Sequence, residues 1–308
     1  MSEGKKKGVL LLAFGGADAI ENVAPFVKNV LKGRPVSDET VKHAEKRYAL
    51  IGGSSPLLKI TLAEADALKV ELASLGLDTE VYVGMRFWHP YIKETVRDMW
   101  MDGVEDALAV IMAPHTSRVA TGGYLADIEE ARKTTAGVPE VRYASTWHTH
   151  PLFIEAIKDN IDAALKTLPL DKKTLLLFTA HSLPAPALAG DSYVGKINET
   201  IEAVTKGANL PEHRLAYQSK GGGPVEWLGP AAEDEIEKAA KDGFGSILIV
   251  PVGFVSDHVE TLYDIDILFK DIALKAGLNF ARSLSLNTSP KFIKMLADVV
   301  LNNIKGSA

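Results

Sequence analysis

Residues 174–184, TLLLFTAHSLP, contain an apolar run that ends in a polar turn. A strand that is apolar throughout is typical of a parallel sheet covered by helices on both faces. The same design opens the chain, where residues 7–14 read KGVLLLAF and two glycines come next. The repeated pattern indicates either a weak internal duplication or a chance likeness between two leucine-rich strands. In both cases it predicts an α/β protein.

Further β-rich runs alternate with amphipathic stretches along the chain. In residues 151–168, PLFIEAIKDNIDAALKTL, the apolar side chains keep helical spacing. We therefore predict two Rossmann-like, doubly wound halves, each with a parallel four-stranded sheet, and a central cleft. The predicted lobes are residues 1–160 and 161–308, with the last helix either in the second lobe or packed back on the first. The predicted strands are KGVLLLAF, TEVYVGM, DALAVIMA, EVRYAST, TLLLFTA, HRLAYQS, GSILIVPVGF and LNFARSL.

Composition excludes several classes of protein. The chain has 308 residues, 46% of them hydrophobic and 24% charged, and a formal net charge of −6. An acidic chain without a block of basic residues is not typical of a nucleic-acid-binding protein. Because there is no cysteine, disulfides, cysteine nucleophiles, thiolate zinc sites and cysteine-bound iron–sulfur clusters are excluded. No apolar run reaches the roughly 18 residues of a membrane span, and we expect a cytoplasmic protein.

The glycine-rich segments do not match a nucleotide-binding or hydrolase motif. Ile51–Pro56 and Gly221–Gly223 lack both the Lys-Ser/Thr of a phosphate loop and the G-x-G-x-x-G of a dinucleotide site. No G-x-S-x-G occurs, so a hydrolase nucleophile elbow has no support. Since ligands of open α/β sheets bind beyond the carboxyl ends of the strands, the strand-end turns are where chemistry is expected.

Polar side chains come after two strands whose ends would lie close together if the strands were neighbours or next-neighbours in one sheet. His181 ends the fifth strand, and Glu260 and Asp264 follow the seventh. With Ser256 as the predicted helix cap, the two acids stack four residues apart on one helix face, where like charges repel. They either complement the helix dipole or attract a cation. An imidazole opposite a carboxylate is a ligand pair for Fe²⁺ or Zn²⁺ and a proton acceptor, so the sequence predicts a metal-and-proton site.

The other histidines are predicted to have structural or surface positions. His43 and His213 lie in charged stretches and should be solvated. His148 and His150 would face the same way in an extended chain and could share a metal. A surface position at a strand end is favoured, because no third ligand is nearby in sequence. His115 ends an apolar strand, which fits either a ligand site or a hydrogen-bonded structural histidine.

Several segments together resemble a known family. They are TAHSLP, YQSKGGGPVEWLGP, PVGFVSDHVETLYDID, RYALIGGSSPL, GMRFWHPYI and LNTSPKFI. In order and spacing, over essentially the whole chain, they resemble ferrochelatases, which insert Fe²⁺ into a porphyrin at the end of haem synthesis. The resemblance implies two Rossmann-like halves with a cleft, Fe²⁺ as a substrate metal with no required cofactor, and protoporphyrin IX or coproporphyrin III as the other substrate.

The resemblance also implies roles for individual residues. His181 matches the histidine that faces the centre of the macrocycle, and Glu260 matches the acid across the metal path, so these two are the predicted catalytic residues. His181, Glu260 and Asp264 are the predicted metal-binding residues. We expect one of the catalytic pair to take the pyrrole protons at one face of the ring, and the other to deliver the ion at the opposite face. The predicted substrate-binding residues are Phe14, Arg47, Ser55, Arg86, Ser117, Tyr124 and Trp227.

Two positions depart from the family pattern. Phe14 stands where compact bacterial relatives often have a tyrosine, so a phenolate ligand from that position is not expected. Leu268 stands one turn past Asp264, where the family's row of acids can continue.

The expected partners are the porphyrin and Fe²⁺, without nucleic acid. The expected state is a monomer, with a peripheral contact to a membrane or to another haem-pathway protein as an option. The alternatives are a cobalt or nickel chelatase of an early tetrapyrrole, which typically uses a histidine pair, and a non-catalytic haem or tetrapyrrole carrier.

Overall fold

The computed structural model of the protein describes residues 6–32, 34–222 and 224–305, so the third glycine of Gly221–Gly223 lies outside it. Each predicted strand is present in these residues, and together the strands form two parallel four-stranded sheets. The predicted fold class is therefore confirmed. The strands are β1 (Lys7–Ala13), β2 (Glu80–Met85), β3 (Asp106–Ile111), β4 (Glu140–Tyr143), β5 (Thr174–His181), β6 (His213–Gln218), β7 (Ser246–Val250) and β8 (Asn279–Arg282).

Helices connect the strands. One connection is a π-helix, Glu260–Phe269, which continues directly into an α-helix. Within the described residues no helix is both long enough and apolar enough to cross a membrane. The α-helices are α1 (Val23–Val30), α2 (Asp38–Leu50), α3 (Leu57–Ser74), α4 (Ile92–Met101), α5 (Arg118–Thr134), α6 (Pro151–Leu165), α7 (Tyr193–Thr205), α8 (Ala232–Lys241), α9 (Lys270–Lys275) and α10 (Pro290–Lys305).

The leucine runs explain why the two sheets form. Successive side chains of a strand point to opposite faces, so an unbroken apolar run needs cover on both. Leu10 and Leu12 of β1 are fully buried in a cluster with side chains of α4 and α5. Leu175 and Leu177 of β5 are fully buried in a cluster with side chains of α8 and the π-helix. Each such leucine contributes about 1.5–3 kcal/mol of hydrophobic stabilisation.

The chain divides into two compact units, each with one sheet. The first unit contains the described residues up to Ala113, Thr121–Trp147 and those from Asn287 onward. The second contains Pro114–Ala120 and His148–Leu286. The strand order is β2-β1-β3-β4 in the first unit and β6-β5-β7-β8 in the second.

The observed division differs from the predicted boundary between residues 160 and 161. That boundary falls inside α6, which packs against α7, β7 and β8 and belongs entirely to the second unit. The last helix, α10, belongs to the first unit and packs against α3. The interior of α6 gives no compositional sign of which sheet it covers, so its place depends on tertiary contacts.

The neighbouring strands β6, β5 and β7 bring their carboxyl ends together at one edge of the second sheet. β5 lies between β6 and β7, and all three strands run parallel. In this register His181 pairs with Gln218, and Phe178 pairs with Val250. The fifth and seventh strands are therefore neighbours, which meets the condition for their ends to be close, and their carboxyl ends open on the same edge.

Candidate active site

The strand ends bring the two predicted catalytic residues into contact. His181 is the last residue of β5, and Glu260 is the first residue of the π-helix that comes after β7. Nε2 of His181 lies 3.4 Å from Oε1 of Glu260. The side chains are 32% and 23% exposed, so a small ion can reach them from solvent.

Hydrogen bonds fix which nitrogen of His181 faces the acid. Nδ1 lies 2.5 Å from the carbonyl oxygen of Ser182. Because a carbonyl only accepts, Nδ1 carries a hydrogen and donates it, which leaves Nε2 facing Glu260. A neutral Nε2 is an acceptor, and two acceptors 3.4 Å apart repel each other unless a proton or a metal cation lies between them. The geometry therefore favours a cation at this point.

The backbone of His181 is also held in place. The hydroxyl of Tyr193, a buried residue in the first turn of α7, donates to the carbonyl oxygen of His181 at 3.0 Å. Burial raises the pKa of Tyr193 well above its ordinary value, so the hydroxyl stays a donor. His181 is thus oriented by neighbours on both its side chain and its main chain, as metal-binding and catalytic histidines commonly are.

A second histidine contacts the same carboxylate. Nε2 of His258 lies 3.6 Å from Oε2 of Glu260, and its Nδ1 is 3.0 Å from the carbonyl oxygen of Ser256. Glu260 therefore lies between two imidazoles, each with Nδ1 held by a carbonyl and Nε2 directed at the acid. His258 was not singled out from the sequence. Its signal was its place two residues before Glu260, inside the segment that carries the family resemblance.

The charges of this cluster are coupled. Burial, the largest single influence, would lower the pKa of His181, but the charges of Glu260 and Asp264 and the hydrogen bonds to Glu260 and Ser182 together outweigh it, and the pKa of His181 is raised. Burial alone would raise the pKa of Glu260, but His181 and His258 outweigh it and the pKa of Glu260 is strongly lowered. The pair therefore carries an imidazolium facing a carboxylate when no other cation is bound.

The helix after β7 differs from the predicted one. The sequence predicts an α-helix capped by Ser256, but residues Glu260–Phe269 form a π-helix that Val259 precedes without a side-chain cap. The capping prediction is wrong because the helical segment begins at Glu260, four residues beyond Ser256, and the residue that precedes it is Val259. A π-helix longer than a single turn is rare, and π-helical segments are frequent at functional sites.

The end of β6 holds the π-helix on the site side. Nε2 of Gln218 donates to the carbonyl oxygen of Glu260 at 2.9 Å. Ser219 has a left-handed backbone, with φ of 59°, and its hydroxyl donates to Oδ2 of Asp264 at 2.5 Å. Asp264 is buried, and its charge also helps to raise the pKa of His181. The third predicted metal ligand therefore belongs to the same electrostatic cluster as the other two.

His181 and Glu260 do not stand on opposite sides of a macrocycle-sized gap, contrary to the expectation from the sequence. A planar ring between them needs about 7 Å, twice a carbon contact of about 3.5 Å, whereas the observed separation is 3.4 Å. The reason is topological, since β5 and β7 are neighbours and their ends project from one edge. In the part of the chain that the structure describes, no three His, Asp or Glu side chains form a ready metal-binding group.

Trp227 and Ser117, two predicted substrate-binding residues, belong to the same unit as His181. Trp227 forms a bridge with Pro184, so it lies beside the turn after β5. Trp227 also fills the space in front of Gly221, where a Cβ would come within 2.6 Å of the indole. The hydroxyl of Ser117 accepts from the backbone N–H of Ala120 at 3.0 Å, which is the geometry of a helix cap for α5.

Arg86 and Tyr124 come together in the first unit. Nε of Arg86 donates to Oδ2 of Asp127 at 3.1 Å, and the guanidinium carbon is 5.6 Å from the ring centroid of Tyr124. The guanidinium occupies the space in front of Gly123, where a Cβ would lie 1.8 Å from Nη2. Gly123 is therefore required for Arg86 to lie against α5.

The remaining predicted substrate-binding residues also lie in the first unit. Phe14 is 43% exposed and contacts Phe87 at 4.6 Å between ring centroids. Ser55 packs closely on the turn after β1, because a Cβ at Gly16 would lie 2.7 Å from its hydroxyl oxygen. Arg47 is half-buried in the last turn of α2. Phe14 and Ser55 thus border the turn after β1, whereas Arg47 belongs to a helix.

The other histidines have structural roles or lie on the surface. His43 and His213 are exposed, as predicted. His148 is buried, with Nε2 2.6 Å from Oε2 of Glu199, so its predicted surface position is wrong. His150 accepts from the N–H of Leu152 and caps α6.

A family model described as Ferrochelatase matches residues 6–304. The chain belongs to the ferrochelatase family. Ferrochelatases of Deinococcus radiodurans and Herpetosiphon aurantiacus are 35% and 36% identical to it, over 96% of this chain in both cases and over 95% and 98% of their own lengths. The resemblance inferred from the sequence motifs is therefore confirmed over nearly the whole chain.

Solved structures of other chelatases share the fold of this ferrochelatase family member. SirB from Bacillus subtilis with Fe³⁺ has a TM-score of 0.61 at 14% identity and covers 98% of each chain. CbiX, the terminal enzyme for biosynthesis of siroheme in denitrifying bacteria, has a TM-score of 0.55 at 13% identity, covering 96% of this chain and 98% of its own. At such identities the likeness concerns architecture alone.

Proposed function

We propose that His181 and Glu260 are the residues with which this member of the ferrochelatase family inserts Fe²⁺ into a porphyrin. The observation that supports this is the contact of 3.4 Å between Nε2 of His181 and the carboxylate of Glu260, with Nδ1 already committed to Ser182. Imidazole nitrogen together with carboxylate oxygen suits Fe²⁺. The same nitrogen is a base that works near neutral pH.

The reaction exchanges one divalent cation for two protons. A free-base porphyrin carries two pyrrole N–H groups, and both hydrogens leave as protons when the metal enters. In our proposal, Fe²⁺ approaches along Asp264 and Glu260 and takes over the role of the imidazolium proton at Glu260. Positive charge beside His181 disfavours its protonated form, so the imidazolium proton leaves to solvent as the ion arrives. As the ion then moves into the ring, the freed Nε2 accepts one pyrrole proton and the other leaves to solvent, so that two protons are released for each Fe²⁺ and His181 returns to its starting state. Since both residues lie at one strand edge, we place them on the same face of the macrocycle.

The neighbours of the pair have supporting roles in this proposal. His258 keeps the second oxygen of Glu260 oriented, and Ser219 keeps Asp264 directed at the same cluster. We further propose that Phe14, Arg47, Ser55, Arg86, Ser117, Tyr124 and Trp227 contact the porphyrin.

Fe²⁺ acts as a substrate, and we propose that no resident cofactor takes part. The monomeric state and the cytoplasmic location are proposed from the sequence. Metal analysis of the purified protein, sedimentation velocity and cell fractionation test them in turn.

Metal and tetrapyrrole preference test the proposed function directly. His258 gives the site a second imidazole, the feature that favours a cobalt or nickel chelatase, so the competing reaction must be measured as well. Under anaerobic conditions we expect Fe²⁺ insertion into protoporphyrin IX or coproporphyrin III to be at least about tenfold faster than Co²⁺ insertion into sirohydrochlorin, measured by absorbance. The reverse ratio would assign the chain to the alternative, and tight porphyrin binding without turnover would make it a carrier.

A further inference from the structure

An arginine on the last strand of the second sheet binds both sides of the π-helix start. Arg282, the final residue of β8, is 9% exposed. Its Nε and Nη2 donate to the two carboxylate oxygens of Asp266 at 2.7 and 3.0 Å. Its Nη1 donates to Oδ1 of Asp257 at 2.9 Å. Asp257 precedes Glu260 and Asp266 lies beyond it, so one guanidinium spans the segment that carries the acid of the proposed catalytic pair.

Asp257 extends this network to Thr261, the residue after Glu260, and through it to the backbone of His258. Its Oδ1 also accepts from the hydroxyls of Ser285, at 2.8 Å, and Thr261, at 3.2 Å. The hydroxyl oxygen of Thr261 in turn accepts from the backbone N–H of His258 at 3.0 Å. Thr261 comes directly after Glu260, so the network fixes the residues next to Glu260 and the backbone of His258.

The π-helix needs support from outside its own sequence. A backbone hydrogen-bonded from i to i+5 is rare over more than one turn, since the α-helix is the preferred alternative. The segment Glu260–Phe269, ETLYDIDILF, contains neither glycine nor proline, the residues that would disfavour an α-helix here. Its geometry is therefore held by contacts with other elements, among them one from Gln218 to the carbonyl oxygen of Glu260 and two from Arg282 to Asp266.

We propose that Arg282 is a positioning residue that, through Asp257 and Asp266, holds the start of the π-helix so that Glu260 faces His181. This inference rests on the proposed function of the pair. Arg282 does not touch the reacting atoms, and it acts through the backbone that carries Glu260 and His258.

The chemistry of the contact requires arginine in particular. A guanidinium makes two parallel hydrogen bonds to one carboxylate and keeps a third nitrogen for another acceptor. A lysine at this position keeps the positive charge but can hold the two acids only as a point charge on a flexible stem. Arg282→Lys therefore preserves charge balance in the buried network and removes its geometric constraint.

The first unit offers a matched control. Arg142 on its fourth strand, β4, donates from Nε and Nη2 to the two oxygens of Asp106 at 3.1 and 2.9 Å. The contact is of the same bidentate kind as that of Arg282 and is made from the corresponding strand. Its acid, however, lies at the start of β3 and not in a π-helix. Arg142→Lys removes the same kind of contact without touching the segment that carries Glu260.

The experiment compares Arg282→Lys, Asp266→Asn and Arg142→Lys with the wild type. Displacing a reacting group by about 1 Å can cost on the order of 100-fold in rate. We expect kcat for Fe²⁺ insertion to fall about 10- to 100-fold in Arg282→Lys and Asp266→Asn, while the porphyrin Kd, measured by fluorescence quenching without iron, stays within twofold. Arg142→Lys should lower the melting temperature, though less than Arg282→Lys, because Arg142 is 30% exposed and holds one acid rather than two, and it should leave kcat within twofold.

Each outcome decides the proposal. Folded Arg282→Lys and Asp266→Asn variants with kcat within threefold of the wild type would overturn it. An equal loss of kcat in Arg142→Lys would do so too, because the effect would then be one of stability. If Arg282→Lys does not fold, Asp266→Asn decides, since it changes a side chain that is 36% exposed and leaves Arg282 its contact with Asp257. Failure of the proposed function is distinguishable, because it appears as a wild type that does not insert iron or as a fully active Glu260→Gln.

Discussion

The two sheets of this protein have the same strand order but differ in the segments that their strands lead into. In the first sheet β1 ends before Phe14, Gly15 and Gly16, and the connection after β3 leads to the α-helix α5. In the second sheet β5 ends on His181, and the connection after β7 leads to a π-helix that begins with Glu260. The contrast teaches that the scaffold only presents strand ends, and that the polar residues there and the local helix geometry supply the chemistry.

The fourth strands show the same contrast. Both carry an arginine that makes a bidentate pair with an aspartate. Arg142 in the first sheet ties β4 to Asp106, the first residue of β3, at the amino edge of the sheet. Arg282 in the second sheet instead reaches acids beyond the carboxyl end of β7, where the site lies. One kind of contact thus stabilises a sheet in one unit and supports a reactive segment in the other.

The largest effect is expected at the end of β5. If His181 is the base, His181→Ala should lower the single-turnover rate of Fe²⁺ insertion by at least about 100-fold, since general base catalysis typically contributes 10²–10⁴-fold. Porphyrin binding should stay within threefold, because the imidazole is not needed to hold the ring. The measurement is anaerobic stopped-flow absorbance of the porphyrin. His213→Ala, an exposed histidine at the other end of the same sheet, is the control. A rate for His181→Ala within threefold of the wild type would reject the assignment.

A smaller effect is expected where the loop after β7 packs on β5. A Cβ at Gly253 would lie 2.9 Å from Cα of Ala180, the residue before His181, so something in the backbone must move. Gly253→Ala should lower the free energy of unfolding by about 1–3 kcal/mol, as overpacking does. It should also reduce turnover about tenfold, because the shift is transmitted to His181.

The control for this variant is Gly195→Ala in α7. A Cβ there meets no atom within 4 Å, so alanine should raise the free energy of unfolding by about 0.5–1 kcal/mol without changing turnover. Urea unfolding and the iron-insertion assay together check both variants. If the two variants had the same unfolding free energy and the same turnover, the close approach of the loop to β5 would have no role in stability or in catalysis.

The smallest effect concerns stability at low pH. Burial, helped by the charges of His148 and Lys196, lowers the pKa of His115 to about 3. Thr200 lies 2.9 Å from its Nε2, and the ring of Tyr193 packs nearby. The unfolded pKa is about 6.5, so between these values the unfolded chain binds the extra proton and stability falls as pH falls. This one group should remove about 2 kcal/mol between pH 6.5 and pH 5.

His115→Gln checks this linkage by urea unfolding at pH 7.5 and pH 5. The variant should lose about 2 kcal/mol less on acidification than the wild type does. His43→Gln, at an exposed position on α2 in the other unit, should lose as much free energy of unfolding between pH 7.5 and pH 5 as the wild type does. Parallel pH dependence in all three proteins would contradict a buried neutral His115.

Much of the fold was predictable, because strands buried on both faces need unbroken apolar runs. Such runs are found at Leu10–Leu12 and Leu175–Leu177, and each lies in the first strand of its sheet in chain order. The positions of His181 and Glu260 could be inferred from strand ends and from family motifs. The π-helix was not predictable from its own residues, because contacts made by Gln218, Ser219 and Arg282 determine it. Those residues lie on or beside other strands.

The histidines show the same limit at the level of single residues. His148 lies in a polar stretch that favours a surface position, yet it is buried against Glu199 and beside His115. Its partners come from α7 and from the segment after β3, so no local pattern could reveal them. Likewise, nothing local to Glu260 indicates that it contacts His181 on the same face rather than across a macrocycle.

The position of α10 affects how the protein is made. The first unit holds β1, at the start of the chain, but α10, which covers α3, is translated only after the whole of the second unit. A ribosome adds about 5–20 residues per second, and domains usually fold in the order in which they emerge. Here the order is reversed. The unit with His181 and Glu260 has all its residues first, and the earlier-made unit waits for α10 with an uncovered surface on α3.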